Sequence, residues 1–534
     1  MPCCYESGPD SDSGRNWCQD LETVYTDAEG KDYCVFHAPQ GKKGVSLEEF
    51  NELIFARIRE AQEQHKPCDL SGTIFQGDVS FHQFDKDNPF PEINFLDAQF
   101  KGDVSFFKTQ FSGEPIFERA QFSGNTNFVG SQFSGDAYFC SAQFSGHAIF
   151  GGIQFSRDVD FADAEFSRDT HFHSAQFSGD ADFLDARFSG NATFYSAQFS
   201  GNAAFSDARF SGNADFEHAQ FSGDTYFHSA RFSGEAHFDY IRIPGKARLI
   251  FWNRGKAKTF VRKASFIDLD IEGTLIFEGV DLSAASFTDT QVQKIDFVNP
   301  RWHRSGPRGW RNTLYDEIAL FDRMKKVSIQ DGASVQGEER PKKLYTDFEN
   351  WMERIFFYAE KYGDDIRKVE ILYRRMKDKY RNLQNWPEVS NWHYGEKEMY
   401  RKENAFRRYF PFSFSFLYWL SSGYGERYEK AGIVLAVLVF TLSFGLAWTG
   451  LDAAAGYGSN PGDFHGIRSI TLETLNVKSI SALLMNTLKY ATFQKDVFFV
   501  PRNMWGEIIR CLAQILIPIQ TALFILAVRN RFRK

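Results

Sequence analysis

Between Phe95 and Phe238 the apolar positions of this chain are set by phenylalanines at alternating steps of five and six residues, 27 of them without a miss. The stretch around Phe177, Phe183, Phe188, Phe194, Phe199 and Phe205 shows the unit: alanine, one polar or variable residue, phenylalanine, then a short corner. In an extended triplet the first and third side chains share a face and the middle one points away. Each triplet therefore sends one small and one large apolar group inward, and those six phenylalanines are core. A fixed 11-residue period of this kind specifies a solenoid. Gly179, Gly190, Gly201, Gly212 and Gly223 recur at one corner, where the expectation is that they accept positive φ without strain. Ser178, Ser189 and Ser200 stand beside them, placed to hydrogen-bond local backbone.

The register extends past its cleanest stretch. Phe75, Phe81, Phe84 and Phe90 precede it, Ile243 and Leu249 continue it, and after a break around Lys256 it resumes from Phe260 to Phe297. With about 4.8 Å per stacked turn, residues 75–297 predict a rod of about ten turns, on the order of 50 Å long. The Ala-x-Phe units resemble the pentapeptide-repeat proteins, whose pattern is a small residue, any residue, a central Leu or Phe and two corner residues. The resemblance implies a right-handed quadrilateral β-helix, mainly β in class, with four units per square turn. Because every second unit is one residue longer than a pentapeptide, the expected turn has 22 residues and two widened corners.

Residues 95–243 carry 19 Asp or Glu against 9 Lys or Arg. Some pentapeptide-repeat proteins are acidic rods that imitate DNA and occupy a topoisomerase, so the resemblance admits that role, although acidic surfaces also serve solubility alone. Arg157 and Arg168 replace the corner glycine in successive units, as a contact site or as tolerated corner variants.

The C-terminal part follows a different pattern. Residues 300–425 form a helical connector. Val369, Leu372, Tyr373, Met376 and Tyr380 lie on one face at helical spacing, and Asn385 to Pro387 marks the turn of an αα-hairpin. His393, Glu396 and Glu398 read as ordinary helix positions rather than as a metal or acid-base cluster. The aromatic run from Phe406 to Leu420 suits an interfacial segment. Residues 426–534 form a membrane domain. Ala431 to Leu451 is free of formal charge and long enough to cross a hydrocarbon core of about 30 Å, with Trp448 at the far interface and Arg427 and Lys430 at the near one. Ile508 to Val528 is a second span, followed by a basic end that the positive-inside rule keeps cytoplasmic. Ile480 to Thr492 is apolar but too short to span, the pattern of a re-entrant helix.

Span, re-entrant helix, span resembles a two-helix channel subunit. The sequence after the short helix, Thr492 to Val497, has no glycine to bring carbonyls inward, so potassium selectivity is not expected. Glu507, Arg510, Gln514, Pro518 and Thr521 follow one helical face. Gln514, Pro518 and Thr521 are the pore-facing candidates, with Gln520 off that face; the competing reading is that Glu507 and Arg510 lie at the headgroups and the two glutamines tie helices together.

The 534 residues have a net charge of −8 and seven cysteines, with neither a disulfide framework nor a nucleic-acid signature. The N-terminus has no apolar h-region, so no cleaved signal is expected. Within residues 1–66, Cys4, Cys18, Cys34 and His37 form a ligand set for structural zinc, with Cys3 as the alternate to Cys4; the competing reading is unliganded thiols. A Cys/His segment ahead of the repeats resembles a membrane-linked subgroup of pentapeptide-repeat proteins. No phosphate-binding loop, nucleophile elbow or zinc-protease motif is present, so no enzyme is expected. The expectation is a protein of a prokaryotic inner membrane, in contact with lipid, with both termini and the solenoid (residues 67–299) in the cytoplasm. Its predicted role is a homo-oligomeric, channel-like complex whose solenoid binds or senses a cytoplasmic protein partner. A tethered scaffold without conductance is the alternative.

Overall fold

In the computed structural model, the described residues are 3, 17–85, 87–253, 255, 257–305, 311–333, 344–403, 413–454 and 467–532. The chain divides into two compact units, 1–319 and 320–534.

The first unit is the solenoid and its two end caps. Short strands, most of two residues, stack in parallel into four long sheets, one of ten strands and three of eight. Gln121 pairs with Gln143 and Phe122 with Phe144, so each coil advances 22 residues. Phe177 stacks on Phe199 at 4.7 Å and Phe183 on Phe205 at 4.8 Å, with ring planes within 2°. This ring spacing equals the strand spacing, so the side-chain columns and the backbone ladders share one repeat. Within a coil the rings meet edge to face, as Phe183 and Phe194 do at 5.6 Å and 90°, the arrangement the ring quadrupole favours. Phe177, Phe183, Phe188, Phe194, Phe199 and Phe205 are all buried.

The corners correct one sequence expectation. Gly179, Gly190, Gly201, Gly212 and Gly223 do not occupy the left-handed region. Positive φ falls at the other, two-residue corner, on Asp163, Ser174, Asp185, Ser196, Asp207 and His218, with φ from 52° to 58°. Glycine is favoured there instead by close approach. A Cβ on Gly201 would stand 2.3 Å from the Gly179 carbonyl oxygen of the coil below, and one on Gly223 would stand 2.1 Å from that of Gly201.

The residue after each such glycine ties coils together. Asp180 N donates to Asp158 Oδ1 at 2.8 Å, and Asn202 N donates to Asp180 Oδ1 at 2.8 Å. Part of the acidic composition is therefore a backbone-capping ladder.

Both ends are covered, which removes exposed sheet edges. At the N-terminal end, α1 (Leu47–Glu63) starts with a capping box between Ser46 and Glu49 and buries Phe50, Ile54 and Ile58. Its Phe50 and Phe55 meet the first-coil rings of Phe75 and Phe81 edge-on. At the other end, Trp302 packs on Phe287 and Phe297. Asp316, in the first turn of α2 (Tyr315–Ala333), accepts from Ser286 Oγ and Phe287 N. A buried Arg311 to Glu317 pair closes the cap.

In the second unit, α3 (Leu344–Asn382) and α4 (Trp386–Glu403) form the expected hairpin. The predicted face buries, with Trp392 against Tyr373 and Tyr380. The second helix starts earlier than the sequence suggested, with Pro387 in its first turn, where a missing N–H costs nothing. The unit continues with α5 (Phe414–Ser422), α6 (Tyr428–Thr449), α7 (Val477–Ala491) and α8 (Met504–Phe532). Of the predicted interfacial run, residues 406–412 lie outside the described residues.

Candidate metal centre and membrane helices

Cys34 and His37 lie on a tight turn in which the amides of His37 and Ala38 both donate to the Cys34 carbonyl. That turn aims His37 Nδ1 at three sulfurs: Cys3 Sγ at 3.4 Å, Cys18 Sγ at 3.4 Å and Cys34 Sγ at 3.2 Å. All four residues are buried. The alternate ligand Cys3 thus takes the fourth position; Cys4 lies outside the described residues.

His37 Nε2 donates to the Ser71 carbonyl oxygen at 2.9 Å. A carbonyl only accepts, so Nε2 carries a hydrogen, and Nδ1 is the ring atom left to ligate an ion among the sulfurs.

A zinc ion bound at about 2.3 Å to sulfur and about 2.0 Å to nitrogen in a tetrahedron places N and S about 3.5 Å apart. The donor set and its spacing fit that ion, and four protein ligands leave no open position for catalysis.

The electrostatics fit too. Hydrogen bonds from Cys18 and Cys34 hold Cys3 far below the ordinary thiol range. Hydrogen bonds to Cys3 and Cys34 push Cys18 far above it. Packed thiols cannot all ionise without a cation among them. Burial works against a charged His37, yet in the metal-free cluster its hydrogen bonds to Cys3 and Cys34 raise it to about 9, so an ion that binds at Nδ1 displaces a proton.

Sequence reasoning missed the supports of this cluster. Trp17 Nε1 donates to the same Ser71 carbonyl and its ring packs on Phe36 and His37. Lys43, 1% exposed, donates to the carbonyls of Val35 and Phe36, and burial pushes its pKa down to about 7. Neither residue is spaced as a ligand, so no motif marks them.

Arg157 and Arg168 are exposed at the glycine corner. Glu396 is held by Lys377, Arg374 and His393. Glu398 is held by Arg401, Lys402 and Tyr424. Both carboxylates of α4 are engaged in ion pairs, Glu396 chiefly with Arg374 and Lys377 of α3.

Two helices, Tyr428–Thr449 and Met504–Asn530, are long and apolar enough to cross a membrane. On α6, Ile433, Val437, Phe440, Phe444 and Trp448 form one exposed apolar face. The short α7 packs between α6 and α8: Leu446, Ala482, Leu483, Tyr490 and Phe499 belong to one buried cluster, against which Ile509 packs. Ser443 Oγ donates to Thr487 Oγ1 across it.

The chain returning from α7 is pinned by Asn486. Its Oδ1 accepts from Phe498 N and Phe499 N at 2.9 and 3.0 Å, and its Nδ2 donates to the Phe499 carbonyl at 3.1 Å.

The predicted polar stripe on α8 divides in two. Gln514, Pro518 and Thr521 are half-buried. Thr521 donates to the Ile517 carbonyl of its own helix, and Glu507 pairs with Arg510. Gln520, off the stripe, is the residue that ties helices, donating to the carbonyls of Ser421 and Ala431.

Residues 106–154, 117–165, 150–198, 161–209 and 205–243 match the family model for pentapeptide repeats, which finds nine copies. No curated protein and no solved structure matches the chain. The matched segments are the same coils whose 22-residue ladders and stacked phenylalanines are described above, and residues 106–243 of this chain are pentapeptide repeats.

Proposed function

We propose that the chain is a non-enzymatic, membrane-anchored pentapeptide-repeat protein whose second unit assembles into a homo-oligomeric, channel-like complex. The solenoid lies in the cytoplasm of a prokaryotic cell, with both chain termini, and binds or senses a protein partner. Zinc at Cys3, Cys18, Cys34 and His37 is its structural cofactor.

One observation carries the channel reading: a 15-residue helix, too short to cross a bilayer, packs against both candidate spans and its return segment is pinned at Asn486. Non-helical backbone at membrane depth is tolerated only inside protein or along a water-filled cavity. Gln514 and Thr521 are the side chains through which α8 would meet the conduction path. The alternative is a scaffold without conductance, and the Gln520 tie to Ser421 and Ala431 favours it by locking the helices together.

Single-channel recording from the purified full-length protein in planar bilayers separates the two. Discrete currents whose conductance changes in Gln514→Leu and Thr521→Leu support a pore. Silence from a folded, oligomeric preparation supports the scaffold. Inhibition of DNA supercoiling by the same protein would instead favour topoisomerase mimicry.

A further inference from the structure

The solenoid carries a second group of metal-ligating side chains, remote in sequence from the cysteine cluster and of different chemistry. A carboxylate oxygen of Glu217, a ring nitrogen of His237 and a carboxylate oxygen of Asp239 lie within 4.8 Å of one another. They come from adjacent coils. Asp215 pairs with His237 across one coil step, and His237 pairs with Ser265 across the next.

The floor of the group is buried, Asp239 being 7% exposed and Ser265 fully enclosed. Ser265 Oγ lies 3.2 Å from His237 Nδ1 and donates to Asp239 Oδ2 at 2.8 Å. Asp239 Oδ1 is fixed by the Ile267 amide at 2.8 Å. Glu235 approaches the other ring nitrogen at 3.7 Å. Glu217, Glu235 and Asp239 thus surround one imidazole, and among the described residues none of the three has a lysine or arginine partner. A cation held among them would offset the mutual repulsion of the three carboxylates.

We propose that Glu217, His237 and Asp239, with the Ser265 hydroxyl, bind one divalent transition-metal ion. Three of the four donors are oxygen, two of them carboxylate, which suits a harder ion such as Mn²⁺, whereas the sulfur-rich cluster at His37 suits zinc. Octahedral bonds of about 2.1 Å place opposite ligands about 4.2 Å apart, within the spread of this group. The site stands where the coil step changes from 22 residues (Ala214 to Ala236) to 28 (Ala236 to Ala264), so the ion would staple the regular coils to the irregular ones.

The test is Mn²⁺ binding to the full-length, zinc-loaded protein in detergent, read by the loss of the free-ion electron paramagnetic resonance signal. One bound ion per chain is expected, weakened at least about tenfold in Glu217→Gln and in His237→Gln and unchanged in Asp180→Asn. Far-ultraviolet circular dichroism confirms that each variant is folded. Absence of binding at millimolar Mn²⁺, equal binding by the His237 and wild-type proteins, or equal loss in the Asp180 variant would each overturn the assignment, the last by showing diffuse attraction to an acidic surface.

Discussion

His37 reaches 2.9 Å from its Nε2 to the carbonyl oxygen of Ser71, joining the cysteine cluster to the first coil of the solenoid. The same coil is held by Ile74 N, which donates to the Phe36 carbonyl. Loss of a metal held at the cluster would therefore act on the coil as well as on the cluster. Zinc chelation, or Cys18→Ser, is expected to speed amide hydrogen exchange at residues 70–81 while coils around Phe194 keep their protection. One zinc per chain by elemental analysis is the accompanying expectation. Uniform protection before and after chelation would sink the coupling.

As the coils are packed, a Cβ on Gly201 would stand 2.3 Å from the Gly179 carbonyl oxygen. Gly201→Ala must push two coils apart or distort both, at a cost of about 1–3 kcal/mol, visible as a lower denaturation midpoint. Arg157 already carries a side chain at an equivalent, exposed corner. Arg157→Gly is expected to change stability by less than about 0.5 kcal/mol. Equal effects of the two substitutions would mean that the glycine corners are not close-packed.

Asn486 satisfies three backbone groups at once. In Asn486→Leu the amides of Phe498 and Phe499 lose this acceptor, at about 1–3 kcal/mol per buried group deprived of its partner, while the Phe499 carbonyl keeps the Tyr490 hydroxyl, and the return segment should become sensitive to limited proteolysis between Phe493 and Pro501. Asn486→Asp keeps the acceptor and loses the donor, so its cleavage rate should fall between those of the wild type and the leucine variant.

Burial works against the charge of Glu396, but His393, Lys377 and Arg374 outweigh it and hold its pKa well below the usual 4.5. A carboxyl depressed in the folded state contributes stability above its unfolded pKa and loses it as pH falls through the folded value. The α3–α4 hairpin is therefore expected to weaken on acidification below about pH 4.5. Glu396→Gln should be less stable than wild type at neutral pH, and the difference should shrink in acid. A difference independent of pH would refute the assignment.

The solenoid was legible because its period is a backbone constraint: a phenylalanine missing from Phe183 or Phe194 would break a column. The reason for the corner glycines was not legible, since positive φ and close approach both select glycine and only the packed coils distinguish them. Cys18, Cys34 and His37 could be named from residue type, but the choice of Cys3 needed the fold. Glu217, His237 and Asp239 escaped notice because they match no motif; laying the sequence out at 22 residues per row puts Glu217 and Asp239 in one column. Gln514 and Gln520 read alike in sequence, and only the placement of Ser421 and Ala431 shows which of them ties helices.

The 22-residue coil also makes length a quantised property of this molecule. An insertion of 22 residues returns every column to its own kind and lengthens the stack by one step of about 4.8 Å. An insertion of 11 satisfies the local sequence pattern equally well but exchanges opposite faces, turning all later side chains half a revolution about the axis. Two sequences indistinguishable by repeat content would then display different faces at the same height, so what such a rod presents is encoded as much by the parity of its repeats as by their composition.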